Sequence, residues 1–280
     1  MPVNENLLIL RHLYRRTYEN ETYYFRDLIK EAIQIEINSD STTADGFAQS
    51  KLNKIWADFK KDYVLDLGNH IVPLFDIIDE YSKRVRWIGI HDSRLDEKKR
   101  YLYKIRPEVY KYIDRIDDRK YEGLACVVSK LIGAENVYLT PPGNEGGIDF
   151  VAKITFPSKA HFLFGNKGPI RIIGQCKKYA TKDKIGHMKE FTQTLTHVYN
   201  LSYRAGEILP DWFKDSNGPI IGWHIAHSGH QSGALNYAKN YGIVTSTTKE
   251  LVEIIAKSKV MNHETNKITL IDRMVKKFIG

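Results

Sequence analysis

The sequence predicts an α/β protein, a sheet flanked by helices, preceded by a mostly helical N-terminal domain. Three observations predict it. From residue 116 to residue 280, apolar strand-like runs alternate with stretches of helical spacing. From residue 1 to residue 115 the chain is highly charged and reads mostly as helix. The 280 residues are 42% hydrophobic, which suffices for one large or two small domains with proper cores.

The N-terminal elements follow in order. NENLLILRHLYRRTY and YYFRDLIKEAIQIEI place apolar residues at helical spacing. NSDSTTADGFAQ reads as a loop. SKLNKIWADFKKDYVLDLG is an amphipathic helix closed by Gly68. HIVPLFDIIDEYSKR reads as a further helix, broken or started at Pro73. VRWIGI and KRYLYKIRPEV read as two strands joined by the polar turn HDSRLDEK. Helices followed by a basic hairpin predict a winged-helix-like module, which sets a helix in a DNA groove and the hairpin against phosphates. Arg84, Arg86, Arg94, Lys98, Lys99 and Arg100 are the hairpin cations. The competing reading is a helical dimerisation or docking module, with these charges on a solvated face.

The second half continues the alternation. Asp117 or Asp118 caps a helix through YEGLACVVSKLIGA that stops at Gly133, with Tyr121, Leu124, Val128, Leu131 and Ile132 as its core face. GGIDFVAKITF and IRIIGQCKKY are two strands. DKIGHMKEFTQTLTHVY is a helix, PIIGWHIAHSGH a strand with its exit loop, and SGALNYAKNYG a helix. IVTSTTKELVEII is a final strand running into a helix, with TTKE as a capping box.

The chemistry concentrates between Gly143 and Lys177. Asp149 heads one apolar strand; Gln175 and Lys177 sit two apart at the end of the next. Alternation sends Gln175 and Lys177 to one side and Cys176 to the other. If the strands pair as neighbours, Asp149, Gln175 and Lys177 converge at one sheet edge. A carboxylate, an amide oxygen and an ammonium suit a divalent cation beside a phosphodiester. Glu122, early on the preceding helix, can lean over the sheet end toward Asp149. The plainer readings are an Asp that punctuates a turn, a solvated strand-end Lys, and a Glu favoured by the helix dipole.

Helix Glu122, then GGID with Asp149, then QCKKY with Gln175 and Lys177, resembles the Mrr-type restriction endonuclease domain. That domain belongs to the PD-(D/E)XK nuclease fold, in the subgroup where Gln replaces the second acid. The resemblance covers about half the chain, from near Asp117 to near Ala256. It implies a restriction-endonuclease-like mixed sheet and a Mg²⁺-dependent DNA endonuclease, with Mn²⁺ as a substitute. Asp149 and the Gln175 carbonyl would be metal ligands, with Glu122 direct or through water, and Lys177 would orient or activate the attacking water. Lys178 and Ser228 would join the hairpin cations Arg86, Arg94, Lys98 and Arg100 in binding DNA. Double-strand cutting implies a homodimer or higher oligomer, and the implied setting is defence against foreign, including modified, DNA. Many such proteins carry an N-terminal winged helix. The chain departs from the pattern at Glu145, where the family often has Asp. It also departs in the long FPSKAHFLFGNKGP insertion, which offers Lys159 and Lys167, and in the His-rich HIAHSGH segment. A repair or recombination nuclease acting on branched DNA, and a DNA-binding regulator with an inert nuclease fold, stand as alternatives.

Composition agrees with double-stranded DNA as partner. The net charge is +8 and the pI about 9.2. The two cysteines, Cys126 and Cys176, read as core residues rather than a disulfide, which points to a reducing cytoplasm. The first twenty residues lack a signal-peptide core, no apolar run has membrane-spanning length, and no glycine-rich loop ends in Gly-Lys-Ser/Thr. Neither a membrane nor a nucleotide cofactor is therefore expected. His224, His227 and His230 recur every three residues, but a strand would throw successive members to opposite faces, so only a bent loop gathers them. The spacing argues against zinc.

Overall fold

A computed structural model of the chain describes residues 5–18, 22–87, 97–143, 146–155, 168–200, 209–258 and 266–280. It divides into two compact units, Met1–Lys111 and Tyr112–Gly280.

The first unit runs α1 (Glu5–Tyr14), β1 (Thr22–Tyr24), α2 (Phe25–Ile37), α3 (Ser41–Gly68), β2 (Phe75–Asp79) and β3 (Arg84–Trp87), followed by the start of α4 (Glu97–Arg115). The three strands form an antiparallel sheet in the order β1-β3-β2. This order of helices and strands is the winged-helix layout. Phe25, Ile29, Ile55, Trp56, Phe59, Phe75, Val85 and Trp87 form its core. The rings of Phe25, Trp56 and Phe59 lie 4.8–5.5 Å apart.

Three expectations for this unit are corrected. The loop placed at NSDSTTADGFAQ is mostly helix, because Asp40 caps α3 through the amides of Thr42 and Thr43. The helix placed after Pro73 is instead strand β2. Phe75 is buried and Ile78 is exposed, the alternation of a half-buried strand. The strand placed at KRYLYKIRPEV is helix α4, in which Arg106, Val109, Tyr110 and Ile113 fall at helical spacing and are all buried. The hairpin is therefore Phe75–Trp87. Arg84 and Arg86 lie on its second strand, whereas Lys98, Lys99 and Arg100 lie on α4, and Arg94 falls outside the described residues.

The second unit is built on a five-stranded mixed sheet. Its elements are α5 (Asp118–Leu131), β4 (Asn136–Leu139), β5 (Phe150–Ile154), β6 (Ile170–Lys177), α6 (Ile185–Tyr199), α7 (Asp211–Lys214), β7 (Ile220–Ala226), α8 (Ser232–Asn240), β8 (Val244–Thr247), α9 (Thr248–Lys257) and α10 (Lys267–Ile279). The strand order is β4-β5-β6-β7-β8. The first three strands pair antiparallel and the last three parallel. Alternation along β5 and β6 assigns residues to two faces. Val151 and Ile173 pack with Met188, Phe191 and Leu195 of α6. Phe150 faces Gly174 and Trp223 on the opposite side. A Cβ at Gly174 would fall 2.0 Å from the Phe150 ring, so only glycine fits beneath it. At Gly123 of α5 the approach is close but looser, with a Cβ meeting Val275 of α10 at 3.2 Å.

The helix ends follow their capping residues. Asp117 caps α5 by accepting from Lys120 N, and Thr247 with Glu250 forms the capping box of α9. Leu131 and Ile132, expected in the core face of α5, lie at its end, where Ile132 is exposed. Cys126 and Cys176 are both free. Among the described residues, no helix is long and apolar enough to cross a membrane.

Candidate active site

Near its start α5 carries Arg119 and Glu122 three residues apart, so their side chains meet. Arg119 Nη1 contacts Glu122 Oε2 at 2.7 Å, and Arg119 Nη2 donates to the Thr140 carbonyl at 2.7 Å. The guanidinium thus ties the helix to the end of β4. Thr140 is buried, and its hydroxyl lies 2.6 Å from the Ile148 carbonyl and 2.9 Å from that of Asp149. Its amide donates to the Asp149 carbonyl at 3.0 Å.

These bonds fix Asp149 at the head of β5. Its amide donates to the Gly174 carbonyl at 2.9 Å, and its Oδ2 accepts from Cys176 N at 2.6 Å. Since Phe150 pairs with Gly174, the head of β5 lies beside Gln175 on β6. Gln175 is buried and donates Nε2 to the Gly147 carbonyl at 3.0 Å. Gly147 has φ +67°, and a Cβ there would stand 2.8 Å from Thr194 Oγ1. Thr194 in turn donates to the Gly146 carbonyl at 3.2 Å. The turn before Asp149 is therefore held from β6 and from α6.

One consequence carries the chemistry. With its amide nitrogen committed to Gly147, Gln175 leaves Oε1 buried with no hydrogen-bond partner. A buried amide oxygen without a donor is costly. It is satisfied if a cation binds there.

The charges agree. Burial, and then the neighbouring Asp149 charge, push the Glu122 carboxyl upward, while Arg119 opposes them. Burial also raises Asp149, against the pull of the Cys176 amide, Lys177 and Arg119. Glu122 thus feels the charge of Asp149 in a partly buried place, with Arg119 acting on both groups and Lys177 on Asp149. Asp149 and Glu122 offer carboxylate oxygens and Gln175 an amide oxygen, the hard donor types that Mg²⁺ takes. Lys177 ends β6, and its carbonyl accepts from His227 N at 2.8 Å.

The other expected DNA contacts are placed differently. Arg86 Nη2 lies 3.2 Å from Asp76 Oδ2 within the first unit's sheet. Lys98 and Arg100 lie near the start of α4, Arg94 lies outside the described residues, and so do Glu145, Lys159 and Lys167. Lys178 donates Nζ to the Asp114 carbonyl at 3.1 Å. Ser228 is buried and its hydroxyl donates to the Tyr179 carbonyl. His227 is buried as well, between Thr248 Oγ1 at 2.7 Å and Asp114 Oδ1 at 3.1 Å.

Sequence reasoning missed Arg119 and Thr140. An arginine three residues before Glu122 was a visible i,i+3 partner. The reach of Arg119 to Thr140 is tertiary and has no local signal.

No protein-family model matches the chain, and no curated protein matches it. Among solved structures it is similar to the MspJI restriction endonuclease in complex with a 27-mer oligonucleotide, at 15% identity and a TM-score of 0.41 over 67% of this chain and 40% of that one. It is also similar to the DNA modification-dependent restriction endonuclease AspBHI, at 12% identity and a TM-score of 0.37 over 66% of this chain and 40% of that one. The chain thus spans 40% of the length of each of these structures.

Proposed function

We propose that the chain is a Mg²⁺-dependent DNA endonuclease that hydrolyses phosphodiester bonds, with Mn²⁺ as a substitute metal. The observation that carries this reading is the buried, partnerless Oε1 of Gln175 beside Asp149 at the ends of β5 and β6. Asp149 and Gln175 would hold the metal, with Glu122 adding a carboxylate directly or through water. A bound divalent ion supplies a water of lowered pKa and neutralises charge on the phosphate.

The chain's own residues do the rest. Lys177 offers an ammonium to the attacking water or to the developing negative charge. Arg119 holds Glu122 and the Thr140 carbonyl together, so the carboxylate stays aimed at the sheet end. The Cys176 amide orients Asp149 through Oδ2. The neutral Gln175 removes one negative charge from the site, which favours one tightly held metal over two.

In this reading the first unit supplies affinity. In its winged-helix layout α3 follows α2 after a short turn, and Asn53, Lys54, Ala57 and Lys61 form an exposed face on α3. Arg84 and Arg86 mark the wing. Binding through such cations releases counterions, so affinity of the full chain should fall steeply with salt. Cutting both strands calls for two sites, hence a homodimer or larger assembly. The resemblance in sequence points to defence against foreign DNA.

The test is digestion of unmodified and methylated plasmid with Mg²⁺, with Mn²⁺ and with EDTA, followed by sequencing of the ends. Metal-dependent ends bearing 5′-phosphate support the reading. Binding without cleavage in every metal would replace it with a DNA-binding regulator.

A further inference from the structure

A second group of metal-binding side chains lies apart from the Asp149 cluster. Strand alternation sends His224 to the α6 side of the sheet and His227 to the α5 side, where it meets Tyr121 and Thr248. The loop after β7 then bends back and returns His230 to His224. Asp183 arrives from the loop after β6, pinned by its own backbone: Asp183 N donates to the Gly229 carbonyl at 2.8 Å, and Gln231 N donates to the Asp183 carbonyl at 2.9 Å.

The three side chains are almost wholly buried, with Asp183 2%, His224 0% and His230 7% exposed. One ligand atom from each lies within 4.8 Å of the other two. His224 Nδ1 and His230 Nε2 are 3.1 Å apart, and His224 Nε2 is 3.6 Å from Asp183 Oδ2. Two nitrogens on one tetrahedral zinc, each bonded at about 2.0–2.1 Å, stand about 3.3–3.4 Å apart. These two contacts use different nitrogens of His224, so a single ion would take one of them and draw in the other two donors from within 4.8 Å.

A network of hydrogen bonds alone leaves the group incomplete. Only one proton can sit between His224 Nδ1 and His230 Nε2. If His224 carries it, its Nε2 turns a bare lone pair toward the Asp183 carboxylate. If His230 carries it, the His224 Nε2 proton faces Asp183 Oδ2 across 3.6 Å, too far for a proper bond. Accordingly His224 Nε2 and Asp183 Oδ2 are both buried without a hydrogen-bond partner.

The surroundings match a ligand set with its supporting shell. His187 Nδ1 lies 2.5 Å from Asp183 Oδ1, engaging the carboxylate oxygen that His224 does not face. Phe191 packs edge-on to His224, and Tyr179 packs beside His187. Mixed imidazole and carboxylate donors in a closed, buried setting select a borderline transition metal, zinc first.

We propose that Asp183, His224 and His230 form a structural zinc site, supported by His187, that clamps the loop after β6 to the loop after β7. It differs from the Mg²⁺ site in donor type and residues, and it does not depend on the nuclease reading. Its mechanical effect falls on the C-terminal end of β6, where Lys177 stands.

The test uses the full chain purified from zinc-supplemented cells, dialysed, and assayed for metal by mass spectrometry. About one zinc per chain is expected, as for a folded structural site. Asp149→Asn should retain it, whereas Asp183→Asn and His230→Asn should lose it. His187→Gln should keep the site but weaken zinc binding about 10- to 100-fold. Where a ligand variant fails to fold, the wild type decides: chelated and reloaded with Co²⁺, it should show a visible d–d absorption that Zn²⁺ displaces. A wild type that takes up neither ion overturns the proposal. So does zinc that persists in a folded His230→Asn protein, or zinc that disappears in Asp149→Asn.

Discussion

Replacing Asp149 with asparagine should make the metal-free protein more stable and the enzyme inactive. The carboxyl is pushed upward mainly by burial, and its charge also pushes Glu122 upward. A carboxyl raised in the fold contributes stability below its unfolded value, and that contribution is lost as pH rises through the folded value. At neutral pH the empty site therefore costs stability. Asparagine keeps an oxygen for the Cys176 amide, 2.6 Å away in the wild type, and removes the charge. Gains from relieving an active-site conflict of this kind are about 0.5–2 kcal/mol. For a domain of this size that is a rise in Tm of roughly 1–8 °C. The assay is scanning calorimetry in EDTA at pH 7 and pH 4. The gain should be present at pH 7 and shrink at pH 4, where the wild-type carboxyls take up protons. Mg²⁺ should raise the Tm of the wild type and leave Asp149→Asn unmoved. An Asp149→Asn protein that is native by circular dichroism yet less stable at pH 7 would refute the reasoning.

Further outcomes follow from neighbouring residues. Gln175→Ala should lose most cleavage, whereas Gln175→Glu should keep metal-dependent cutting at a reduced rate, since it retains an oxygen but gives up the bond to Gly147; equal rates for the two variants would remove Gln175 from the ligand set. Arg119→Ala should lower turnover and push the Glu122 carboxyl further up, visible as an alkaline shift of the acidic limb of the pH–rate profile, because Arg119 is the group holding Glu122 down. Arg119→Lys should not restore it, as one ammonium cannot serve both Glu122 and the Thr140 carbonyl. Gly174→Ala should destabilise by about 1–3 kcal/mol in urea denaturation, because the new methyl collides with the buried Phe150 ring.

The second unit was largely legible because its signals are local. Asp117 and the Thr247–Glu250 pair mark helix starts, and alternation in IRIIGQCK places Gln175 and Lys177 on one side. The first unit was harder to read. Tyr101, Tyr103 and Ile105 alternate like a strand over a short window, and Pro107 reads as a break. The longer spacing through Val109 and Ile113 wins, and Pro107 sits within α4. The Phe75–Asp79 strand was hidden by the preceding proline and by an apolar run too short to show its period. The meeting of His224 with Asp183 depends on two loops from different strands, which no spacing rule reports. The same holds for the bond from Arg119 to Thr140.

The central claim is that the strand-end cluster of Asp149, Gln175 and Lys177 is a metal-dependent phosphodiesterase site. The most direct measurement is the rate at which supercoiled plasmid is opened in Mg²⁺ by purified wild type, Asp149→Ala and Lys177→Ala, each checked for native fold and DNA binding. The account predicts cleavage by wild type, none in EDTA, and a loss of about 10²-fold or more in both variants with binding retained. Cleavage that persists in EDTA, or in either variant at near wild-type rate, would contradict it.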